Sequence, residues 1–169
     1  HETEADPLKR WYVGRQWRKF ERFERPAYSE ADCTVAVSAE DAARIRGRFG
    51  GRQVQVIDNG VDTCFFRPAP PPVGPGRILF LGSLDWRPNL DGVNLLLDSI
   101  FPAVRRAVPT ATLSLVGRHP PDWLRARAAA TPGVFLHADV SDVRPFLARC
   151  GMLAVPLRVG GGSRLKILE

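Results

Sequence analysis

Lysine is nearly missing from this chain: 3 Lys stand against 21 Arg in 169 residues. Cysteine is as scarce, with 3 in all. Cys33, Cys64 and Cys150 are odd in number, lie far apart and form no C-x-x-C pair, which argues against a disulfide scaffold or a zinc site and fits a reducing compartment. His1, His119 and His137 have no metal-ligand spacing, so no metal is expected. No stretch approaches the roughly 20 apolar residues that a membrane-spanning helix needs, and no signal-peptide pattern is visible. The G-x-G-x-x-G and G-x-x-x-x-G-K-[ST] fingerprints are both absent, which disfavours a dinucleotide-dependent dehydrogenase and a P-loop NTPase. There is no G-x-S-x-G elbow, and nothing repeats at a fixed period. The chain opens on His1 rather than Met and stops without a helix-closing Gly or Pro. The expectation is an internal piece of a longer, soluble, cytoplasmic protein.

What is present is arginine and apolar residues. The formal charge is +6 and 44% of the residues are hydrophobic, enough for a core. A basic balance can serve nucleic acid, an anionic membrane surface or phosphorylated substrates. Here the arginines are scattered at helical spacing among acids, as in "RQWRKFERFER", the pattern of a solvated helix face. No nucleic-acid-binding motif accompanies them, so nucleic acid is not an expected partner.

Residues 7 to about 30 carry Trp11, Tyr12, Trp17, Phe20 and Phe23 at spacings that predict a helix, with Pro26 expected to interrupt or kink it. "CTVAVS" (33–38) reads as a buried strand. Ser38 caps a helix over "AEDAARIRGRF", Gly50-Gly51 ends it, and "QVQVI" (53–57) is a second strand. Asn59-Gly60 and the Pro/Gly-rich run to Gly76 mark a linker. From Arg77 strands and helices alternate. "RILFLG", "ATLSLVG", "VFLH" and "MLAVPL" are strands; "NLDGVNLLLDSIFPAVRRA", bent at Pro102, "PDWLRARAAA" and "SDVRPFLARC" are helices. A last helix opens at Ser163. Such alternation predicts an α/β fold with a doubly wound, Rossmann-like parallel sheet. The segments are 1–58, the 59–76 linker, and 77–169, the last cut short.

In such sheets ligands sit at the carboxyl ends of the strands, where strand order reverses. With the usual order, the first and fourth strands of 77–169 flank that crevice. Their exit loops are "LGSLDWRPN" (81–89) and "PLRVGGGSR" (156–164). Gly161, Gly162 and Ser163 are expected to present free N–H groups at a helix N-terminus, a natural anion site. Arg164 and Lys166 add cations where the helix dipole disfavours them, which makes sense if a phosphate supplies the opposite charge. A tight turn with an exposed Arg and Lys is the plain alternative.

The stretches "VAVSAEDAARI", "VIDNGVDTCFFRP", "ILFLGSLDWRPNLDGVNLLL", "VFLHADVSDVRPFLARCGMLAVPL" and "GGGSRLKILE" together resemble the retaining glycosyltransferases of family 4, in order and over nearly the whole chain. The resemblance implies the GT-B fold of two Rossmann-like domains. Residues 1–58 would close the acceptor-side domain, 59–76 would form the crossover, and 77–169 would be a truncated donor domain. It implies hexosyl transfer from a nucleotide diphosphate sugar to a glycan, lipid-linked or small glycoside acceptor with retention. No cofactor is implied beyond the donor itself, and no metal. By the same resemblance Gly82, Ser83, Arg87, Val140, Gly161, Gly162, Ser163 and Glu169 are donor-binding. Glu169 matches the second Glu of a family pattern whose first Glu is replaced here by Gly161. Relatives often carry Arg and Lys where this chain has Ser83 and Arg87-Pro88, so Arg164 and Lys166 are expected to supply the diphosphate charge and are the catalytic candidates. The chain by itself is expected to be inactive.

Two other functions fit the pattern. One is a GT-B sugar-nucleotide epimerase; the other is a non-catalytic α/β module that binds a nucleotide or a partner. "LKRWYVGRQWRKF" is basic and aromatic enough for peripheral contact with the inner face of a membrane. Packing against the rest of the protein explains that helix as well and is the favoured use.

Overall fold

The computed structural model describes residues 6–67, 76–158 and 164–168. The chain divides into two compact units, with the break at Gly60/Val61.

The first unit begins with helix α1 (Pro7–Glu30), whose Asp6 carboxylate accepts from the Leu8 and Lys9 amides while Pro7 sits at the first helical position. Contrary to the sequence expectation, α1 runs through Pro26 without stopping. The carbonyl that Pro26 cannot satisfy belongs to Arg22, on the exposed side of the helix, where water can replace the lost bond. Strands β1 (Thr34–Ala36) and β2 (Val54–Val56) pair in parallel. Between them runs α2 (Ala39–Arg44), with Ser38 Oγ accepting from Asp41 N–H at 3.1 Å, followed by a π-helical turn, Ile45–Phe49. Gly50 closes it at φ 75°.

Ala36, Ala42, Ile45 and Val54, with Tyr28 of α1 beside them, form a small core. α1 is held by the Arg48–Glu21 ion pair, by Arg48 lying 4.3 Å over the Trp17 ring and by the Tyr28–Phe49 ring contact. β1 is less buried than its apolar composition predicts: Ala36 is covered, but Val35 and Val37 are exposed. In this unit the sheet of the described residues has two strands, so each is an edge strand.

In the second unit four parallel strands stand in the order β5-β4-β3-β6: β3 (Arg77–Leu81), β4 (Thr112–Gly117), β5 (Val134–Ala138) and β6 (Met152–Leu153). The register runs Ile78–Leu113–Val134 across the first three strands and Ile78–Met152 on the other side. β3 is apolar at every position after Arg77 because both of its faces are covered. Ile78 and Phe80 join Leu113, Leu115 and Val134 under helices α3 (Arg87–Leu95), α4 (Phe101–Ala107) and α5 (Asp122–Ala130). Leu79 and Leu81 face the other way, with Val116, against Phe146 and Leu147 of α6 (Arg144–Arg149).

A π-helical stretch, Leu96–Ile100, joins α3 to α4, and the Phe101 amide reaches back five residues to the Leu96 carbonyl. Pro102 lacks an N–H, and the wider turn just before it absorbs the break without ending the helix. The expected strand 152–157 is shorter in fact. Met152 and Leu153 pair with β3, Ala154 N–H adds one bond to the Leu79 carbonyl, and Pro156 then removes a donor while Leu157 N–H turns back to Val155. The last helix, α7 (Leu165–Leu168), begins just after Arg164.

Candidate functional site

The 3-2-1-4 arrangement of the second unit's strands makes β3 and β6 neighbours, with α6, the helix leading into β6, on the face opposite α3, α4 and α5. The carboxyl end of that pair is where such sheets open a ligand crevice. Gly82 leaves β3 there with its N–H donating to the Val116 carbonyl at 3.0 Å. The loops after β3 and β4 run so close that a Cβ on Gly117 would fall 1.9 Å from the Gly82 carbonyl oxygen. Leu84 N–H donates to the Arg118 carbonyl at 2.8 Å and fastens the two loops further on.

Lys166, from α7, reaches into this corner. Its Nζ donates to the Leu81 carbonyl at 2.5 Å, lies 3.5 Å from Asn89 Oδ1 and stands 5.1 Å from the centre of the Phe80 ring. A Cβ at Gly82 would come within 2.8 Å of both Lys166 Nζ and Asn89 Nδ2. The glycine at the strand exit is therefore what lets the ammonium and the amide approach the backbone.

Asn89 is 3% exposed, the buried polar residue among the described ones. It sits in the first turn of α3, and its Nδ2 donates to the Ser83 carbonyl at 2.8 Å. Ser83 Oγ donates to Asp85 at 2.8 Å, and that hydrogen bond holds the Asp85 carboxyl below its ordinary range. The loop after β6 is tied to the same helix: Arg158 grips the Asp91 carboxylate with two nitrogens, at 2.9 and 2.5 Å, and holds that carboxyl low as well. Beneath this clamp, Gly92 leaves space for the Pro156 carbonyl, which would stand 3.2 Å from an added Cβ.

Lys166 also lines a cavity of about 1050 Å³ between the 61–67 turn, α6 and α7. Its apolar wall includes Phe65, Phe66, Leu147 and Leu153. The 61–67 turn is shaped by Asp62, whose Oδ1 accepts from the Cys64 and Phe65 amides, and it meets α6 where Arg144 lies 3.9 Å over the Phe65 ring. Cys150 is half-buried at the cavity edge, and burial pushes its thiol up. Across the strand ends, His119 and Asp139 both take positive φ, and the His119 amide donates to Asp139 Oδ1 at 2.9 Å.

Of the residues expected from the sequence, Gly82, Ser83 and Lys166 come together at the β3 exit. Arg87 opens α3 from an exposed position, and Arg164 directly precedes α7, half-buried. Val140 follows β5 and packs against Leu79, Leu81 and Val116 on the sheet's second face. Gly161, Gly162, Ser163 and Glu169 lie outside the described residues. Asn89 was absent from the expected set. Its signal was there to read: a polar residue sharing the i, i+4, i+7 face of Val93 and Leu96.

A parallel sheet wound on both sides, with a cation and a glycine at the exit of β3 beside its reversal point, defines an α/β domain of the Rossmann type. Residues 75–169 match the family described as Glycosyl transferases group 1, and residues 1–65 match Glycosyltransferase Family 4. The chain belongs to the group 1 glycosyltransferases of family 4, and its four-stranded sheet and smaller preceding sheet fit the two halves of the GT-B fold. No curated protein matches it.

Proposed function

We propose that residues 77–169 form the donor side of a hexosyl transferase that takes its sugar from a nucleotide diphosphate sugar and passes it, with retention, to a glycan or lipid-linked acceptor. The observation that carries this is the Lys166 ammonium held at the exit of β3, beside Gly82 and on the edge of a cavity large enough for such a donor. When the anomeric C–O bond breaks, its electron pair stays on the departing diphosphate. A fixed cation beside that oxygen is worth more in the transition state than in the ground state. Lys166 and Arg164 are assigned this work. Gly82, Ser83, Arg87 and Val140, with Gly161, Gly162, Ser163 and Glu169, are assigned to holding the donor. Transfer requires acceptor-side groups in addition, so the 169-residue chain on its own is assigned donor binding without turnover.

Calorimetric titration with UDP, GDP and ADP tests the assignment. Tight binding of one of them, weakened about a hundredfold in the Arg164→Ala/Lys166→Ala variant, is expected from the loss of two charge-assisted contacts. Binding to none of the three by the full chain removes the diphosphate site and leaves a non-catalytic module.

No helix among the described residues is long and apolar enough to cross a membrane. A peripheral contact on the cytoplasmic face is supported by α1. Residues 8–20 carry five cations and no acid, and Trp11, Tyr12 and Phe20 are exposed beside them. Aromatic rings at the interface and about 1 kcal/mol per basic residue near an anionic surface give such a helix affinity for acidic lipids. The chain is expected to co-sediment with phosphatidylglycerol-containing vesicles, with a blue-shifted Trp emission, and to be released at roughly 1 M salt. Equal behaviour with neutral vesicles, or no binding, would return α1 to protein packing.

A further inference from the structure

We propose that Arg158 and Asp91 are positioning residues, whose ion pair holds the loop leaving β6 against α3 and so fixes one wall of the donor crevice. The inference rests on the donor-site assignment above and adds two residues to which that assignment gives no part. The sheet ladder ends early on this side. Ala154 N–H makes the last bond to β3, to the Leu79 carbonyl at 2.7 Å, and Pro156 has no N–H to offer. Among the described residues, the backbone of 155–158 makes one further hydrogen bond, from Leu157 N–H to the Val155 carbonyl at 2.8 Å. That bond lies within the loop and cannot aim it. The direction is set by α3. Gly92 admits the loop, since an added Cβ would meet the Pro156 carbonyl oxygen at 3.2 Å and Leu157 Cδ2 at 3.3 Å. One residue earlier on the helix, the Asp91 carboxylate accepts from Arg158 Nε at 2.9 Å and from a terminal nitrogen at 2.5 Å, one on each oxygen.

The same helix is tied to the other wall. Asn89 Nδ2, two residues before Asp91, donates to the Ser83 carbonyl in the loop leaving β3. The first turns of α3 therefore hold both strand exits that flank the reversal point, and the Arg158–Asp91 pair is the charged half of that bracket. A guanidinium fork on a carboxylate fixes orientation as well as distance. Both side chains remain open to water, at 63% and 36% exposure, and an ion pair so placed contributes little to global stability. Its effect is local. Without it the loop is free to leave α3, and the fraction of molecules with this wall in place falls by no more than the strength of the pair, about fivefold.

The test is a double-mutant cycle that introduces no new charge. Asp91→Ala and Arg158→Ala are made singly and together in the full chain. Each protein is titrated calorimetrically with whichever of UDP, GDP and ADP wild type binds most tightly, and its urea midpoint is measured alongside. Each single substitution is expected to weaken binding about three- to fivefold, and the double by no more than the larger single, because the two residues act as one unit. Midpoints should move by less than about 0.5 M. The sign of Asp91→Ala separates positioning from plain electrostatics. If Arg158 simply attracts the phosphates, removing the neighbouring carboxylate tightens binding and the double variant returns toward wild type; that result overturns the proposal. It fails equally, with the donor site left standing, if Asp91→Ala leaves affinity unchanged or if the two losses multiply in the double variant. A larger fall in midpoint marks a merely structural pair and also overturns it. If wild type binds none of the three nucleotides, the donor-site assignment fails and this inference falls with it.

Discussion

Gly117 has no space for a side chain, and the reason lies in another loop. Its missing Cβ would stand 1.9 Å from the Gly82 carbonyl oxygen and 2.9 Å from Leu84. The obstruction is backbone, which cannot swing aside as the end of a flexible side chain can. Gly117→Ala must push the β3 and β4 exits apart, breaking the Gly82–Val116 and Leu84–Arg118 bonds. The expected cost is about 3 kcal/mol or more, the upper end of overpacking effects, read as a lower midpoint in urea denaturation. An unchanged midpoint would contradict the close packing of the two exits. That glycine ends each strand is visible in "LFLG" and "SLVG"; that the two glycines face each other depends on strands 35 residues apart in number, Gly82 and Gly117, lying side by side. Asn89 shows the same limit. Its place on an apolar helix face can be read from spacing, but its partners Ser83 and Lys166 are set by how α3 and α7 converge on β3.

At the level of elements, local chemistry was a good guide wherever one residue decides the outcome. Ser38 caps α2 with the bond its position predicts, and Gly50 ends the following turn at positive φ. Proline was the weaker guide. Pro26 does not stop α1, because the carbonyl it orphans faces outward, and Pro102 is absorbed by a π-helical stretch before α4. Of these three prolines Pro156 alone acts as a stop, shortening the strand that begins at Met152. The difference is environmental: a lost backbone bond is tolerable on an exposed or widened helix and not in a sheet ladder. The apolar run 33–38 shows a related failure. Alternation and β-branching identify a strand, but burial depends on what covers its two faces, and Val35 and Val37 remain exposed.

Across the molecule the two units differ most in their cores. Among the described residues, thirteen buried side chains form the main cluster of the second unit, with a further cluster on the other face of its sheet. The first unit's cluster has four. Local opening is easiest where few apolar contacts hold the backbone. Hydrogen exchange is therefore expected to be slowest in β3 and β4 and to reach β1 and β2 well before them. Equal protection in both units would show that the small core is supported by more than its own four residues.

Alternating strands and helices, apolar on both faces of β3, were enough to specify a doubly wound parallel sheet, because a strand buried on two sides can afford no polar position and a parallel neighbour requires a crossover. The order of motifs along the chain was enough to specify the family. The functional corner was not determined in this way. Lys166 meets Leu81, Asn89 and the space above Gly82 across some eighty residues of chain, through side chains whose directions follow from packing and from no local preference. Spacing along the chain indicates which residues carry charge; only the folded sheet decides which of those charges stand together.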